Sequence, residues 1–263
     1  MLHPFCPPIL VTGLAATTGR ETLSDVLWEA AGAPRPTQDS LVSSVYKTLW
    51  QQIVEGERQQ GERFIEAELV KELGVSRTPI RQALFQLQQA GLVHIGASRG
   101  FHVVIYGESD IRELYDLRAV LEVAAIKAAT PNIPEEALGR AQEKAAALKN
   151  FSEPDLSPAF LHFDVDFHHG LIAGHCGNRR LSEAVAGVRA QMGIFIADGT
   201  RVPQGTASAM AEHDEILAAL VRRDAEAAAG AMARHLERVK EMALSTFARA
   251  RTRRVRRFQS VRG

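Results

Sequence analysis

The sequence has few features of membrane, secreted or disulfide-stabilised proteins. Only two cysteines occur in 263 residues, Cys6 near the start and Cys176 in a glycine-containing turn. A disulfide framework is therefore not expected, and a reducing cytoplasm fits this composition. No apolar run is long enough to span a bilayer, and the first residues lack the positive charges of a secretory signal.

The chain also lacks an overall charge, because its formal net charge is zero. Any affinity for nucleic acid must then come from a local excess of positive side chains. Such an excess occurs between Lys71 and Val104, a segment that contains four positive residues and one acidic residue. With 46% hydrophobic residues, the chain is long enough for two domains with a sizeable core.

Residues 66–93 predict two helices joined by a tight turn. Gly74 stands where the first helix would end in the left-handed conformation that glycine tolerates. Thr78 and Pro79 suggest the start of the second helix, with Thr78 as its cap. Apolar residues at helical spacing predict the inward faces of both helices: Leu69, Val70, Leu73, Ile80, Leu84, Leu87 and Leu92.

Two short β-prone runs follow these helices, at 93–95 and 101–104, and a glycine-bounded loop separates them. A helix-turn-helix followed by such a hairpin is the plan of a winged helix, which binds DNA. Arg77 and Arg81 flank the start of the second helix, where side chains and amide protons meet an approaching anion. They are the predicted base and phosphate readers.

These residues resemble the GntR family of transcription regulators. The resemblance rests on Leu73-Gly-Val-Ser-Arg-Thr-Pro-Ile-Arg81, Ala83-Leu84, Gly91-Leu-Val93 and Arg99-Gly100. Gln82 and Val70 depart from the family pattern and affect the helix surface or its packing. The resemblance implies a homodimer on a palindromic operator, with double-stranded DNA contacted by Ser76, Arg77, Thr78, Arg81, Arg99 and Gly100.

The rest of the chain predicts helices and no convincing strand. The expected fold class is mainly α: an N-terminal winged helix-turn-helix with a small β-hairpin wing, then an all-α bundle. Leu117-Arg118 and Leu121-Glu122, in a helix expected to run to Ala129, resemble the FCD effector domain. The predicted divisions are a tail at 1–38, the winged helix at 39–106, the helical domain at 107–250 and a basic tail at 251–263.

One predicted helix, from Ala159 to Ala173, carries several possible metal ligands. A spacing of about 100° per residue places Asp164 and His168 on the inward side, whereas His162, Asp166 and His169 fall on the opposite side. A buried Asp and His one turn apart are costly unless they are paired or bind a cation. The outer three suit an ordinary solvated face.

Two further histidines, His213 and His235, lie on apolar faces of a predicted helical hairpin with its turn at 222–224. Their distances from the turn, about 15 and 18 Å of helix, bring them to similar heights. A lone inward histidine is usually a hydrogen-bonded core residue. Through the FCD resemblance, however, Asp164, His168, His213 and His235 match one Asp and three His that bind a divalent metal ion, and this ligand set suits Zn, Ni, Mn or Fe.

Arg118 and Asn178 are the predicted effector-binding residues, because both match positions of the FCD domain. Arg118 has an alternative role in an ion pair with Glu122, and Asn178 could equally cap a helix. The sequence thus predicts a cytoplasmic, metal-binding transcription regulator that responds to a small carboxylate. Its rivals are a metal-dependent hydrolase, for which no catalytic motif is evident, and an architectural DNA binder with a purely structural helical domain.

Overall fold

The computed structural model describes residues 41–96, 100–150, 153–199 and 203–260, with side chains described outside 153–158, 193–199, 203–205 and 250–260. The predicted N-terminal tail and Arg99 lie outside these ranges. The predicted fold class is confirmed: a small winged-helix unit precedes an all-helical region. None of the described helices is both long and apolar enough to pass through a bilayer.

The winged-helix unit combines three helices with three short strands. Helix α1 packs against α3, and Val45, Leu49 and Ile53 are buried at four-residue spacing. The elements are α1 (Leu41–Val54), β1 (Arg63–Phe64), α2 (Glu66–Leu73), α3 (Arg77–Gln89), β2 (Val93–Ile95) and β3 (Phe101–Val103).

The turn between α2 and α3 forms as predicted at its first residue and differs at its last. Gly74 is left-handed, with φ of 67°, and its amide donates to the Val70 carbonyl at 3.1 Å. The start of α3 corrects the prediction, because the helix begins at Arg77 and Ser76, not Thr78, occupies the cap position. The Ser76 side chain makes no capping hydrogen bond there, so its hydroxyl is not used to hold the helix end.

The wing belongs to a three-stranded antiparallel sheet in the order β1-β3-β2. The hairpin pairs Val93 with Val103 and Ile95 with Phe101, as the two β-prone runs suggest. Strand β1, at Arg63–Phe64, was not predicted from the sequence. Two residues cannot show an alternating pattern, so only pairing with β3 reveals this strand.

In the described part of the second region, six α-helices, a π-helix and a 3-10 turn follow one another. Pro154 and Pro158, interpreted from the sequence as a break, lie inside the helix that begins at Glu153, and the last helix continues to Ser260, past the predicted boundary at 250. The segments are α4 (Glu108–Ala129), α5 (Glu135–Leu148), α6 (Glu153–Val165), a π-helix (Asp166–Ile172) with a 3-10 turn (Ala173–His175), α7 (Arg179–Gly199), α8 (Pro203–Val221) and α9 (Ala225–Ser260).

The α8–α9 hairpin closes through its predicted turn. Arg223 adopts a positive φ of 58°, and its guanidinium donates to the carbonyls of Thr130 and Ile133 at 2.9 and 2.6 Å. The Asp224 carboxylate accepts from the Ala227 amide at 3.0 Å and so caps the start of α9. The turn is thereby fastened to the end of α4.

The two regions share part of a hydrophobic core. Leu161 and Val165 of α6 and Ala190 of α7 belong to the same buried cluster as the winged-helix residues Trp50 and Leu87. A second cluster, formed by α4, α5, α8, α9 and the opposite side of α6, lies entirely within the helical region. Helix α6 is therefore packed between the winged-helix unit and the helical bundle.

Candidate functional site

Helix α6 does not continue as the single α-helix predicted over 159–173. It gives way at Asp166 to a π-helix that runs to Ile172 and then to a 3-10 turn. A π-helix adds residues to each turn and often marks a functional site, because the irregular backbone places side chains that a straight helix would not bring together. Periodicity of 3.6 residues cannot predict this change.

Four side chains converge beside the π-helix, and they are the four predicted metal ligands. One ligand atom from each of Asp164, His168, His213 and His235 lies within 4.8 Å of all the others. His168 Nε2 and His213 Nε2 are 3.1 Å apart, and each lies 3.5 Å from Asp164 Oδ1. The three imidazoles are almost completely buried.

The other ring nitrogen of each histidine is held by an oxygen. His168 Nδ1 donates to Glu122 Oε2, His213 Nδ1 to the Ala209 carbonyl at 2.6 Å, and His235 Nδ1 to Glu212 Oε2 at 2.7 Å. Since these partners are acceptors, each Nδ1 carries the proton in the neutral ring and each Nε2 keeps its lone pair. This arrangement of outer oxygens is the one that orients histidines toward a metal ion.

The electrostatics favour neutral rings at His213 and His235 beside a charged Asp164 carboxylate. Burial lowers the pKa of His213 and lowers that of His235 to about 3. Burial alone would raise the pKa of the Asp164 carboxyl, but Arg189 and the neighbouring histidines hold it well below its usual value. The imidazole nitrogens and the carboxylate form a donor set that suits a divalent cation.

Arg118, Glu122 and Arg189 form a buried charged network behind these ligands. Arg118 Nε donates to Glu122 Oε1 at 2.6 Å, and Arg189 Nη2 donates to Asp164 Oδ2 at 2.7 Å. The ion pair with Glu122, weighed as the alternative role of Arg118, is thus present, in a side chain that is only 3% exposed. An effector contact of Arg118 stays a prediction. Within the described chain, Arg118 Nη2 and Arg189 Nε have no hydrogen-bond partner.

Sequence reasoning missed Arg189 and underrated Glu122. A detectable signal for Arg189 existed, since it lies four residues after Val185 and three before Met192, both fully buried on α7. A single arginine in such an apolar stripe must find an anionic partner. Its partner, however, lies 25 residues away in sequence, and only the tertiary structure identifies it.

The three residues assigned to a solvated face, His162, Asp166 and His169, are instead partly buried. Asp166 accepts from Lys144 Nζ at 2.5 Å, and burial lowers the pKa of His169. Helix α6 and the π-helix pack against two cores, so this face is only partly open to water. None of the three belongs to the four-residue cluster found in the described chain.

Asn178 lies apart from this cluster, at the start of α7. Its side-chain oxygen accepts from the Leu181 amide at 3.1 Å, and the residue is exposed. That contact is the capping role weighed as its alternative. An effector contact of Asn178 stays a prediction.

The predicted DNA-contacting residues lie on an exposed surface at the start of α3. Ser76, Arg77, Thr78 and Arg81 are all exposed. Arg81 Nε lies 3.5 Å from Glu66 Oε1, and its side chain is 58% exposed, so this ion pair is weak enough to exchange for a phosphate. Gly100 lies at the start of β3, where the Arg63 side chain passes so closely that a Cβ atom would meet it at 2.7 Å.

Comparison with known proteins identifies both parts of the chain. Residues 41–103 match the bacterial regulatory proteins of the gntR family, and residues 113–238 match the FCD domain. An uncharacterized HTH-type transcriptional regulator of Agrobacterium vitis, from the TAR-I ttuE-ttuC' intergenic region, is 30% identical over 157 residues. That match covers 59% of this chain and 91% of the relative.

Other relatives match over shorter lengths. The Nta operon transcriptional regulator of Aminobacter aminovorans is 33% identical over 49% of this chain and 60% of its own. YdhC, an uncharacterized HTH-type transcriptional regulator of Bacillus subtilis, is 33% identical over 47% of this chain and 59% of its own. The chain thus spans about three fifths of the length of these two relatives.

The solved structure of McbR/YncC from Escherichia coli has a similar fold, with a TM-score of 0.66 and 22% identity. The similarity covers 80% of this chain and 100% of that one. The two matched domains together describe a DNA-binding transcription regulator rather than an enzyme. The chain therefore belongs to the GntR family of bacterial regulatory proteins, in the group that carries an FCD domain.

Proposed function

We propose that the protein is a cytoplasmic transcription regulator that binds operator DNA and responds to a divalent metal ion and a small carboxylate. DNA binding is assigned to the exposed face of α3 and to the wing, in keeping with the family to which the chain belongs. Ser76, Arg77, Thr78 and Arg81 supply the contacts of α3, and Arg99 and Gly100 those of the wing.

The metal assignment rests on one observation, the anchoring of all three Nδ1 atoms by oxygen acceptors while the four side chains converge, with the Nε2 atoms of His168 and His213 each 3.5 Å from Asp164 Oδ1. Two Nε2 lone pairs at 3.1 Å repel each other unless a cation or a proton lies between them. Burial disfavours the proton on His213, as the lowered pKa indicates. A divalent ion such as Zn, Ni, Mn or Fe satisfies both nitrogens at once.

The carboxylate assignment follows from the charges and free donors beside this cluster. The positive charges of Arg118 and Arg189 are balanced by the negative charges of Glu122 and Asp164. A bound divalent ion would leave two uncompensated positive charges in a buried space, and this favours an anionic ligand. The unpaired Arg118 Nη2 and Arg189 Nε are donors of the kind that a carboxylate accepts.

The homodimer assignment is supported by an apolar stripe on the outside of α4. Leu117 and Val120 are 48% and 68% exposed, and Ala124 continues the same face. Burial of this stripe against a second copy would remove it from water. A twofold dimer presents two α3 helices to DNA and therefore fits a palindromic operator.

Coupling between the ligand site and the DNA-binding unit is assigned to α6 and its π-helix. This segment carries Asp164 and His168 on one side, while Leu161 and Val165 pack into the core of the winged helix. A ligand that prefers one position of the segment would therefore shift the orientation of the winged helix.

The test is the metal content of four single variants, purified identically without affinity-tag histidines. His213→Ala and His235→Ala are expected to lose most of the bound ion, because each removes one of the converging nitrogens. His162→Ala and His169→Ala are the matched controls, since they remove partly buried histidines outside the cluster, and they should retain it. Loss of the ion from the controls but not from the first pair would refute the site.

A further inference from the structure

The recognition surface of α3 contains a large apolar side chain that the positive and polar residues around it do not explain. Phe85 is 44% exposed. It follows Arg77 and Arg81 at successive intervals of four residues, so all three share one face of the helix. The exposed residues of α3 are Arg77, Thr78, Arg81, Gln82, Phe85, Gln88 and Gln89.

Phe85 is joined to the wing by an aromatic contact. Its ring meets that of Phe101 edge to face, with centroids 5.1 Å apart. Phe101 is the cross-strand partner of Ile95, which is 45% exposed. The buried ring of Phe101 thus connects the exposed Phe85 of α3 with the strand pair of the wing.

The composition of α3 indicates what covers this surface. The helix contains no acidic residue, and Arg81, one turn before Phe85, provides a positive charge. A protein partner that buried Phe85 would also have to cover the exposed Arg77 and Arg81. DNA brings phosphates for the arginines, and in the major groove it offers one apolar group, the 5-methyl of thymine, which phenylalanine is known to contact.

We propose that Phe85 packs against the 5-methyl group of a thymine in each operator half-site and thereby selects A·T or T·A at that position. The inference rests on the proposed DNA-binding role of α3. The side chain of a helical residue leans toward the N-terminus of its helix, so the Phe85 ring extends toward the level of Arg81. Arg81 would hold the backbone or a neighbouring base while Phe85 reads the methyl group.

The experiment uses the full chain and an operator that it selects from random duplexes. Each thymine is then replaced singly by deoxyuridine, which removes the methyl group and leaves base pairing intact. At one thymine per half-site we expect affinity to fall about fourfold, the effect of exposing one buried methyl-sized group. No methyl dependence at any thymine would overturn the proposal, and this arm needs no variant protein.

The second arm repeats the measurement with Phe85→Ala and Phe85→Leu. Phe85→Ala should bind the thymine and deoxyuridine duplexes equally, whereas Phe85→Leu, which keeps an apolar side chain, should retain part of the difference. Ile105→Ala, at an isoleucine that is 67% exposed and outside α3, is the control and should keep the full difference. If Phe85→Ala keeps the full difference in affinity between the thymine and deoxyuridine duplexes, the contact is overturned. If it also binds both duplexes more weakly by the same factor, Phe85 is assigned to the sugar instead.

Failure of this inference is separable from failure of the DNA-binding assignment. If the native protein selects an operator and Arg77→Ala weakens binding to it, but no thymine shows methyl dependence, only the thymine contact is refuted. A native protein that selects no duplex refutes both.

Discussion

Replacement of Glu122 by Gln would test the buried network behind the proposed metal site. The Glu122 carboxylate accepts from Arg118 Nε and from His168 Nδ1, and Arg189 Nη1 lies 3.7 Å from it. Burial would raise its pKa, but the charges of Arg118 and Arg189 and the hydrogen bond from His168 hold it far below the usual value. The glutamine keeps the shape and removes the negative charge.

The expected loss follows from the number of acceptors required. One glutamine oxygen can accept from Arg118 or from His168, but its amide group is a donor and cannot serve the other. At least one buried guanidinium then loses its anionic partner, and breaking such a pair costs about 3–5 kcal/mol of folding free energy. If His168 loses its acceptor, metal affinity should fall by about 10- to 100-fold, as is usual for outer-shell changes.

The chain offers a matched control in the exposed pair of Arg179 and Glu183. Like Arg118 and Glu122, these are an arginine and a glutamate four residues later in the same helix, at 2.5 Å, but their side chains are 75% and 57% exposed. Glu183→Gln should cost less than about 1 kcal/mol.

Chemical denaturation of the chelator-treated proteins, followed by the same helical signal, measures the loss of stability in Glu122→Gln and in Glu183→Gln. Metal titration measures the loss of metal affinity. Equal stability of Glu122→Gln and Glu183→Gln would refute the argument that the buried pair of Arg118 and Glu122 contributes more to stability than the exposed pair.

Three further predictions concern other parts of the molecule. Arg77→Ala and Arg81→Ala should each weaken specific operator binding by about 1–3 kcal/mol if they make bidentate base contacts, with unchanged circular dichroism; unaltered affinity in both would remove α3 as the recognition helix. Burial lowers the pKa of His213 and lowers that of His235 to about 3, whereas a histidine of the unfolded chain has a pKa of about 6.5. The neutral forms therefore contribute their full stability above about pH 6.5, and this stability is lost as the pH falls toward the folded pKa. The Tm of chelator-treated protein should therefore decrease from pH 7.5 to 5.5, and bound metal should be released over the same interval; a constant Tm would contradict this. Gly91→Ala should destabilise the fold by at least about 1 kcal/mol, because Gly91 has φ of 77° and a Cβ would meet Gln191 Cδ at 2.8 Å. Gly139→Ala is the contrast: its position lies in open space within α5, and the variant should stabilise the fold by about 0.5–1 kcal/mol in the same thermal assay.

The helix-turn-helix could be predicted because its signals are local. Gly74 ends one helix, apolar residues recur at helical spacing, and a glycine-bounded loop separates two β-prone runs. The predicted cap of α3, Thr78, was wrong by two residues, since Thr78-Pro79 and Ser76 both offer plausible first turns and only the backbone chooses between them.

The four converging ligands could likewise be placed before the structure was known. Asp164 and His168 are four residues apart, and His213 and His235 are nearly equidistant from a hairpin turn, so helix geometry brings each pair together. That both pairs meet followed only from the FCD resemblance. The structure shows the convergence itself, with all four ligand atoms within 4.8 Å.

The sequence by itself determined the helices, the wing, the inward faces and the family of this protein, because these depend on neighbours within a few residues. Only the tertiary structure decided the π-helix after Val165, the strand at Arg63–Phe64 and the carboxylate acceptors behind His168 and His235. It also decided the pairing of Arg189 with Asp164, 25 residues away. Such contacts join positions far apart in the chain, and no periodicity connects them, because their energy arises only when folding removes both partners from water.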